Sequence, residues 1–271
     1  MYSVNGVPLK NTAYGWHIMS TNGADSTKPL LQQSKVLQTL RVPGVDGVVR
    51  TSTWFDAPNI VLVVRTPKAF AGSLVGLMSR PDAYLTLTSD TSKRLYFELV
   101  TSSYVSLGPA DSQVAYTFTL RIPGAFWRDA SSSSGAQTTM TGAAAQKVAA
   151  LTSTAPIGDA MIGLQGPFTS VAVSDMFGLC GFQYTGSVPS GQWLIYNMAQ
   201  LTAYITPGHT NIAAAIADAT HNDATSGLQF TGDPLRILPT GDPTDSMSYL
   251  LVSPSGAAGY FQVLGQGAYI V

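Results

Sequence analysis

Five residues, Pro43-Gly44-Val45-Asp46-Gly47, stand between two β-favouring runs, Leu37 to Val42 and Val48 to Arg50. Proline fixes φ near the value needed at the second position of a type II turn, and the glycine after it accepts the positive φ of the third. Asp46-Gly47 then permits a second reversal before the chain leaves extended again. A segment that arrives as a strand, turns twice within five residues and departs as a strand belongs to an antiparallel β protein, since parallel strands need a much longer crossover.

Similar punctuation runs through the first half. Tyr2 to Val4 reads as a short strand closed by Asn5-Gly6. Tyr14 to Met19 sets Tyr14, Trp16 and Ile18 against Gly15, His17 and Met19, which predicts a half-buried strand. Ile60 to Val64 is unbroken apolar sequence and predicts a strand covered on both faces. Thr66 as N-cap and Pro67 as first helical residue predict a helix whose apolar stripe is Phe70, Leu74, Leu77 and Met78. Gly72 and Gly76 weaken that helix, so it must lean on packing. Beyond Pro81, strands are expected over Tyr84 to Thr88 and Leu95 to Thr101, joined by Ser89 to Lys93. In Ala115 to Ile122, Tyr116, Phe118, Leu120 and Ile122 alternate with Thr117, Thr119 and Arg121, a period of two with one face on a core.

From Asp129 to Ala145 the texture changes to small polar residues, which read as a connector or edge segment. This divides the chain into domains at 1–130 and 131–271. Strands are expected again over Ala160 to Leu164, Thr169 to Val173, Gly181 to Thr185, Trp193 to Tyr196, Leu201 to Ile205, Tyr249 to Val252 and Tyr260 to Leu264. Turn signals such as Val188-Pro189-Ser190-Gly191 separate them, as in a β-sandwich. The exception is His209 to His221, where alanines and the Ile212/Ile216 spacing predict a short inserted helix.

Composition enters where function is asked about. Only 11% of the 271 residues are charged, against roughly 25% in an ordinary soluble domain, while 45% are hydrophobic. Such a surface suits burial in an assembly better than a free monomer. The net charge of −1 and the scattered Lys and Arg give no electrostatic footprint for nucleic acid. No apolar run approaches the roughly 20 residues of a membrane helix, and the N-terminus lacks a secretory pattern. With Cys180 as its single cysteine the chain cannot form an internal disulfide, and synthesis in a host cytosol is expected.

Chemistry-bearing residues are sparse. His17 sits mid-strand. His221 with Asp223, and Asp218 one helical turn earlier, could approach a metal, although a helix-end cap or solvated loop is the simpler role. Asp242 and Asp245 lie in a Pro/Gly turn, and Cys180 reads as a buried small residue. Nucleophile-elbow, phosphate-loop and zinc-protease motifs are missing, so neither an enzyme, a cofactor nor a metal is expected. Trp193 and Tyr196 could stack on a sugar. They lie on opposite faces of their strand, however, so only one is easily displayed.

In order, these segments resemble the distal tail protein (Dit) family of long-tailed, non-contractile phages. The resemblance rests on Val4-Asn5-Gly6-Val7, Tyr14-Gly15-Trp16, Val42-Pro43-Gly44-Val45-Asp46-Gly47, Trp54-Phe55-Asp56 ahead of Ile60 to Val64 and the Pro67 helix, the strand from Tyr116 running on to Trp127, and Val188-Pro189-Ser190-Gly191. Val45 departs from the basic residue frequent there in the family, and the 209–221 insertion is unusual for a plain sandwich.

The resemblance implies a mainly β fold: an N-terminal ring-forming antiparallel domain with one short helix, and a C-terminal galectin-like β-sandwich with a short helical insertion. It implies a virion protein at the tail tip, a homo-hexameric ring joining the tail tube to hub or baseplate proteins, with DNA passing through the lumen without specific binding and no membrane insertion. Pro43, Gly44, Val45, Asp46, Gly47, Trp54 and Phe55 are then the expected subunit-interface loop. The alternative is a β-sandwich adhesin that binds a host-surface glycan through Trp193 or Tyr196. A sandwich hydrolase ranks below both.

Overall fold

The computed structural model describes residues 2–21, 35–40, 49–55, 57–107, 112–141, 145–242, 244–256 and 259–270. It separates into two compact units, Met1–Ala130 and Ser131–Ile270. Both are built of antiparallel strands, so the protein is mainly β, with short helices.

The first unit contains β1 (Tyr2–Val4), β2 (Val7–Pro8), β3 (His17–Thr21), β4 (Lys35–Leu40), β5 (Val49–Phe55), β6 (Asn59–Pro67), helix α1 (Ala71–Met78), β7 (Tyr84–Leu87), β8 (Asp90–Tyr96), β9 (Glu98–Leu107), β10 (Gln113–Arg121) and β11 (Trp127–Asp129). Asn5 and Gly6, at φ of 47° and 81°, make the two-residue reversal between β1 and β2. That pair of positive angles is why Asn-Gly stands there. One sheet runs β2-β1-β7-β8-β11, a second runs β3-β6-β10-β9, and β4 pairs with β5. In the second sheet Ile60, Leu62 and Val64 of β6 and Phe118 and Leu120 of β10 are buried, which is the alternation anticipated for β10.

Several local expectations are corrected. Tyr14 lies in a turn before β3, exposed, with its ring against Trp16 at 4.9 Å and Phe70 at 5.6 Å. The strand begins only at His17, although Trp16 and Ile18 are buried as the alternation requires. β6 is fully buried on one face and half-buried at Val61 and Val63 on the other. Thr66 and Pro67 do not start a helix. They end β6, paired with Val114 and Gln113, and a single 3-10 turn at Lys68–Phe70 intervenes before α1. Strand pairing to β10 has overridden the local capping preference. α1 buries Ala71, Leu74 and Met78. β7 and β8 are joined at Thr88-Ser89, so the segment expected as a linker up to Lys93 is already strand.

The second unit contains β12 (Ser133–Ser134), β13 (Thr138–Thr139), β14 (Gln146–Thr152), β15 (Met161–Gln165), β16 (Phe168–Asp175), β17 (Gly181–Val188), β18 (Trp193–Asn197), β19 (Thr202–Thr206), helix α2 (Ile212–Ala217), β20 (Asn222–Asp223), β21 (Leu228–Thr231), β22 (Leu238–Pro239), β23 (Met247–Pro254) and β24 (Tyr260–Gly265). One sheet runs β12-β24-β15-β18-β19-β20, with β13 also on β24. The other runs β14-β23-β16-β17-β21, with β22 on β23. The Ser-rich stretch thus supplies two edge strands, at Ser133 and Thr138, rather than a bare connector.

α2 lies on the outer face of the first of these sheets. Ile212 and Ala215 pack with Trp193 and Ile195, flanked by Met161, Tyr204, Ile216 and Leu264. Asn211 caps the helix by accepting from the Ala214 N–H at 2.9 Å, and the Ile212 N–H donates to Gln262 Oε1 at 3.0 Å. A six-residue helix cannot hold itself together in water; these contacts hold it to the sheet.

Candidate functional site

The residues nominated by sequence fall into three groups. Pro43, Gly44, Val45, Asp46 and Gly47 lie outside the described residues. Trp54 and Phe55 are the last two residues of β5, opposite Val36 and Lys35 of β4, so they belong to a strand and not to a loop.

Trp193 and Tyr196 are each at 0% exposure, which removes both as displayed aromatics. On one face Trp193 sits beneath α2, its Nε1 donating to the His209 carbonyl at 2.8 Å. On the other, Tyr196 packs against Phe182 of β17 at 4.1 Å between ring centres. Among the described residues its hydroxyl has no hydrogen-bond partner, and burial pushes its pKa up to about 12. The expectation that one face of this strand could be shown to solvent fails because the downstream helix α2 covers it.

The histidines are rearranged relative to expectation. His209, not His221, pairs with Asp218, at 2.8 Å across the two ends of α2. Asp218 also accepts from the Thr220 N–H at 2.7 Å. That bond first, and the His209 contact second, hold its carboxyl below the usual carboxylate range. His221 instead lies against the Tyr204 ring at 4.9 Å, and Asp223 accepts from the Thr225 N–H. Asp242 and Asp245 accept local backbone N–H groups, Asp245 also the Tyr249 hydroxyl. His17 is exposed at the start of β3. Among the described residues no group of three or more His, Cys, Asp or Glu side chains is placed to hold a metal ion.

The surface that sequence reasoning missed is β9. It is ten residues long, forms one edge of β3-β6-β10-β9, and is exposed along nearly its whole length. Val100, Tyr104 and Val105 stand at 54%, 64% and 66% exposure. The Tyr104 ring leans on Tyr116 of β10 at 5.5 Å, which in turn stacks on Phe118. At the other edge of the same sheet, β3 exposes His17 and Met19. Among the described residues neither edge has a further strand, so this sheet presents two edges of different sequence. The mixed Ser/Thr and apolar pattern of 98–107 has no period, and that lack of period is the one signal by which the sequence could have marked it.

The fold and this surface define a class: a two-unit antiparallel β protein whose first unit carries a sheet open-edged among the described residues and whose second is a sandwich. No family model and no curated protein matches the sequence. The solved structure of the Dit protein of phage SPP1, described as a paradigm of the hub adsorption apparatus in phages infecting Gram-positive bacteria, matches over 100% of both chains. Its TM-score is 0.54 and its identity 14%. The fold is therefore Dit-like. Two structures of the activated baseplate of phage p2, with calcium and with strontium, align at 12% identity with TM-scores of 0.37 and 0.38, over 91% and 94% of this chain and 90% and 92% of theirs. Among the described residues no helix is long and apolar enough to cross a membrane.

Proposed function

We propose that the protein is a structural subunit of a phage tail tip: a homo-hexameric ring that joins the tail tube to hub or baseplate proteins and leaves an axial channel for DNA. The observation that carries this reading is the sheet β3-β6-β10-β9, open-edged among the described residues, within a fold shared from end to end with a hub protein. Two unlike edges on one sheet suit a heterologous contact, in which β9 of one copy meets β3 of the next. Such a contact, repeated by rotation, closes into a ring. The low charge of the chain supports the same reading, because few unpaired ions would be trapped in the interfaces. Glycan binding through Trp193 or Tyr196 has lost its residues to the core.

Electron microscopy and native mass measurement of the purified protein test the proposal. Six-fold rings with an axial opening are expected. A particle that stays monomeric at all concentrations and joins neither tube nor hub proteins overturns it.

A further inference from the structure

Between β16 and β17 the second unit presents Phe177 and Leu179 to solvent at 59% and 66% exposure. The turn that carries them is built rather than loose. Asp175, only 2% exposed, accepts with Oδ1 from the N–H groups of Phe177 and Leu179, both at 2.9 Å, and with Oδ2 from the Cys180 thiol at 3.1 Å. Main-chain bonds from Asp175 N to Cys180 O and from Gly178 N to Asp175 O close the reversal, and Gly178 supplies the φ of 68°. Gly232, beyond the end of β21, backs the turn so closely that a Cβ there would lie 2.3 Å from the Leu179 carbonyl oxygen. Burial and the neighbouring carboxylate push the Cys180 thiol up to about 11, so it remains a donor. The buried carboxylate fixes the main chain that carries two large apolar side chains, so the turn itself loses little freedom on docking, a property of a preorganised contact.

Charge indicates what they dock against. The Ser131–Ile270 unit has two basic residues, Lys147 and Arg236, against seven aspartates, whereas the Met1–Ala130 unit has twelve basic residues against eight acidic ones. An acidic lipid surface or a nucleic acid repels the second unit. The complementary surface is the basic unit of another copy of this chain. We infer that the Asp175–Cys180 turn is a plug whose Phe177 and Leu179 dock on the Met1–Ala130 unit of a second copy. The inference rests on self-assembly as proposed above, through a contact additional to the sheet edges.

The full chain carrying Phe177→Cys tests it, since native Cys180 is buried and its thiol resists modification. The variant, made as an equal mixture of isotope-labelled and unlabelled protein, is derivatised with a photoactivated crosslinker and analysed by mass spectrometry. Mixed-isotope crosslinks from position 177 into residues 1–130 are expected, and they should weaken at high salt. In the otherwise native chain, Leu179→Asp should lower self-association in sedimentation by about tenfold or more with unchanged thermal unfolding. Crosslinks confined to one isotope, crosslinks only into 131–270, or self-association unaltered by Leu179→Asp would each overturn the plug. Rings that form in the native protein and persist unaltered in Leu179→Asp sink the plug alone, whereas a native protein that never assembles sinks the ring as well.

Discussion

Strands β18 and β9 both break the rule of one face in and one face out, in opposite directions. In β18 every large side chain, Trp193, Leu194, Ile195 and Tyr196, is at 0% exposure, because α2 covers one face and the second sheet of the sandwich covers the other. In β9, Val100, Tyr104 and Val105 are exposed, and among the described residues β10 is its one neighbour in the sheet. The difference teaches where this chain completes itself and where it stops short. A doubly covered strand is finished by the chain's own insertion, and on the ring proposal the exposed edge is the one that meets another copy. Changes in β18 should therefore appear in stability, and changes in β9 in assembly.

The largest expected effect tests the first half of that contrast. Trp193→Ala opens a cavity under α2 and deprives the His209 carbonyl of its indole donor. It should lower unfolding free energy by about 3–5 kcal/mol, read by chemical denaturation. A loss below about 1 kcal/mol would mean the outer face is not truly covered. Gly163 lies beneath the same helix, and a Cβ there would meet the Ile212 side chain at 2.9 Å and the Trp193 ring at 3.0 Å. Gly163→Ala should cost about 1–3 kcal/mol through overpacking. Asn211→Ala, which removes the helix cap, should cost about 1 kcal/mol in the same assay.

A smaller effect depends on pH. The Asp218 carboxyl is held below its ordinary value by the Thr220 N–H and then by His209. A carboxyl with a depressed folded-state pKa contributes stability above its unfolded value, near 3.9, and that contribution disappears as pH falls through the folded value. Acid titration followed by the fluorescence of Trp193, one of the chain's four tryptophans, should show α2 loosening at the acid end. Asp218→Asn should flatten that limb while leaving the neutral-pH signal of the sheet in place. An acid limb identical in the variant would assign the loosening to other carboxylates.

How much of this was legible in the sequence follows from where each partner lies. β10 was legible because one face meets a core and the other does not, so Phe118 and Leu120 alternate with Thr117 and Thr119. α2 was legible from its alanines and the Ile212/Ile216 spacing. Thr66-Pro67 misled because cap preference is local, whereas its pairing with Val114 and Gln113 is not. The Trp193/Tyr196 strand misled for the same reason, its outer cover arriving from residues 212–217. The Asp175 turn carries no readable pattern at all, since its bonds run from a side chain to main-chain groups. The strand expected over Leu95 to Thr101 straddles the end of β8 and the start of β9, which part at Phe97, and the exposed β9 imposes no period on Ser102 to Leu107.

The smallest expected effect on the subunit is also the sharpest test of the contrast. Ser103 and Val105 of β9 are exposed, and neither position is needed to fill a core. Ser103→Lys with Val105→Lys places two like charges on the exposed edge strand, a substitution that blunts edge-to-edge pairing while leaving the β10 ladder intact. Thermal unfolding of the monomer should shift by no more than about 0.5 kcal/mol, while rings disappear from electron micrographs and the native mass falls to that of one chain. The two readouts must part company for the reading to hold. If stability falls along with assembly, β9 is packed within its own subunit and its exposure is not an interface. If rings persist with both lysines in place, the subunits meet through another surface, and the exposed edge of this sheet does not close the ring.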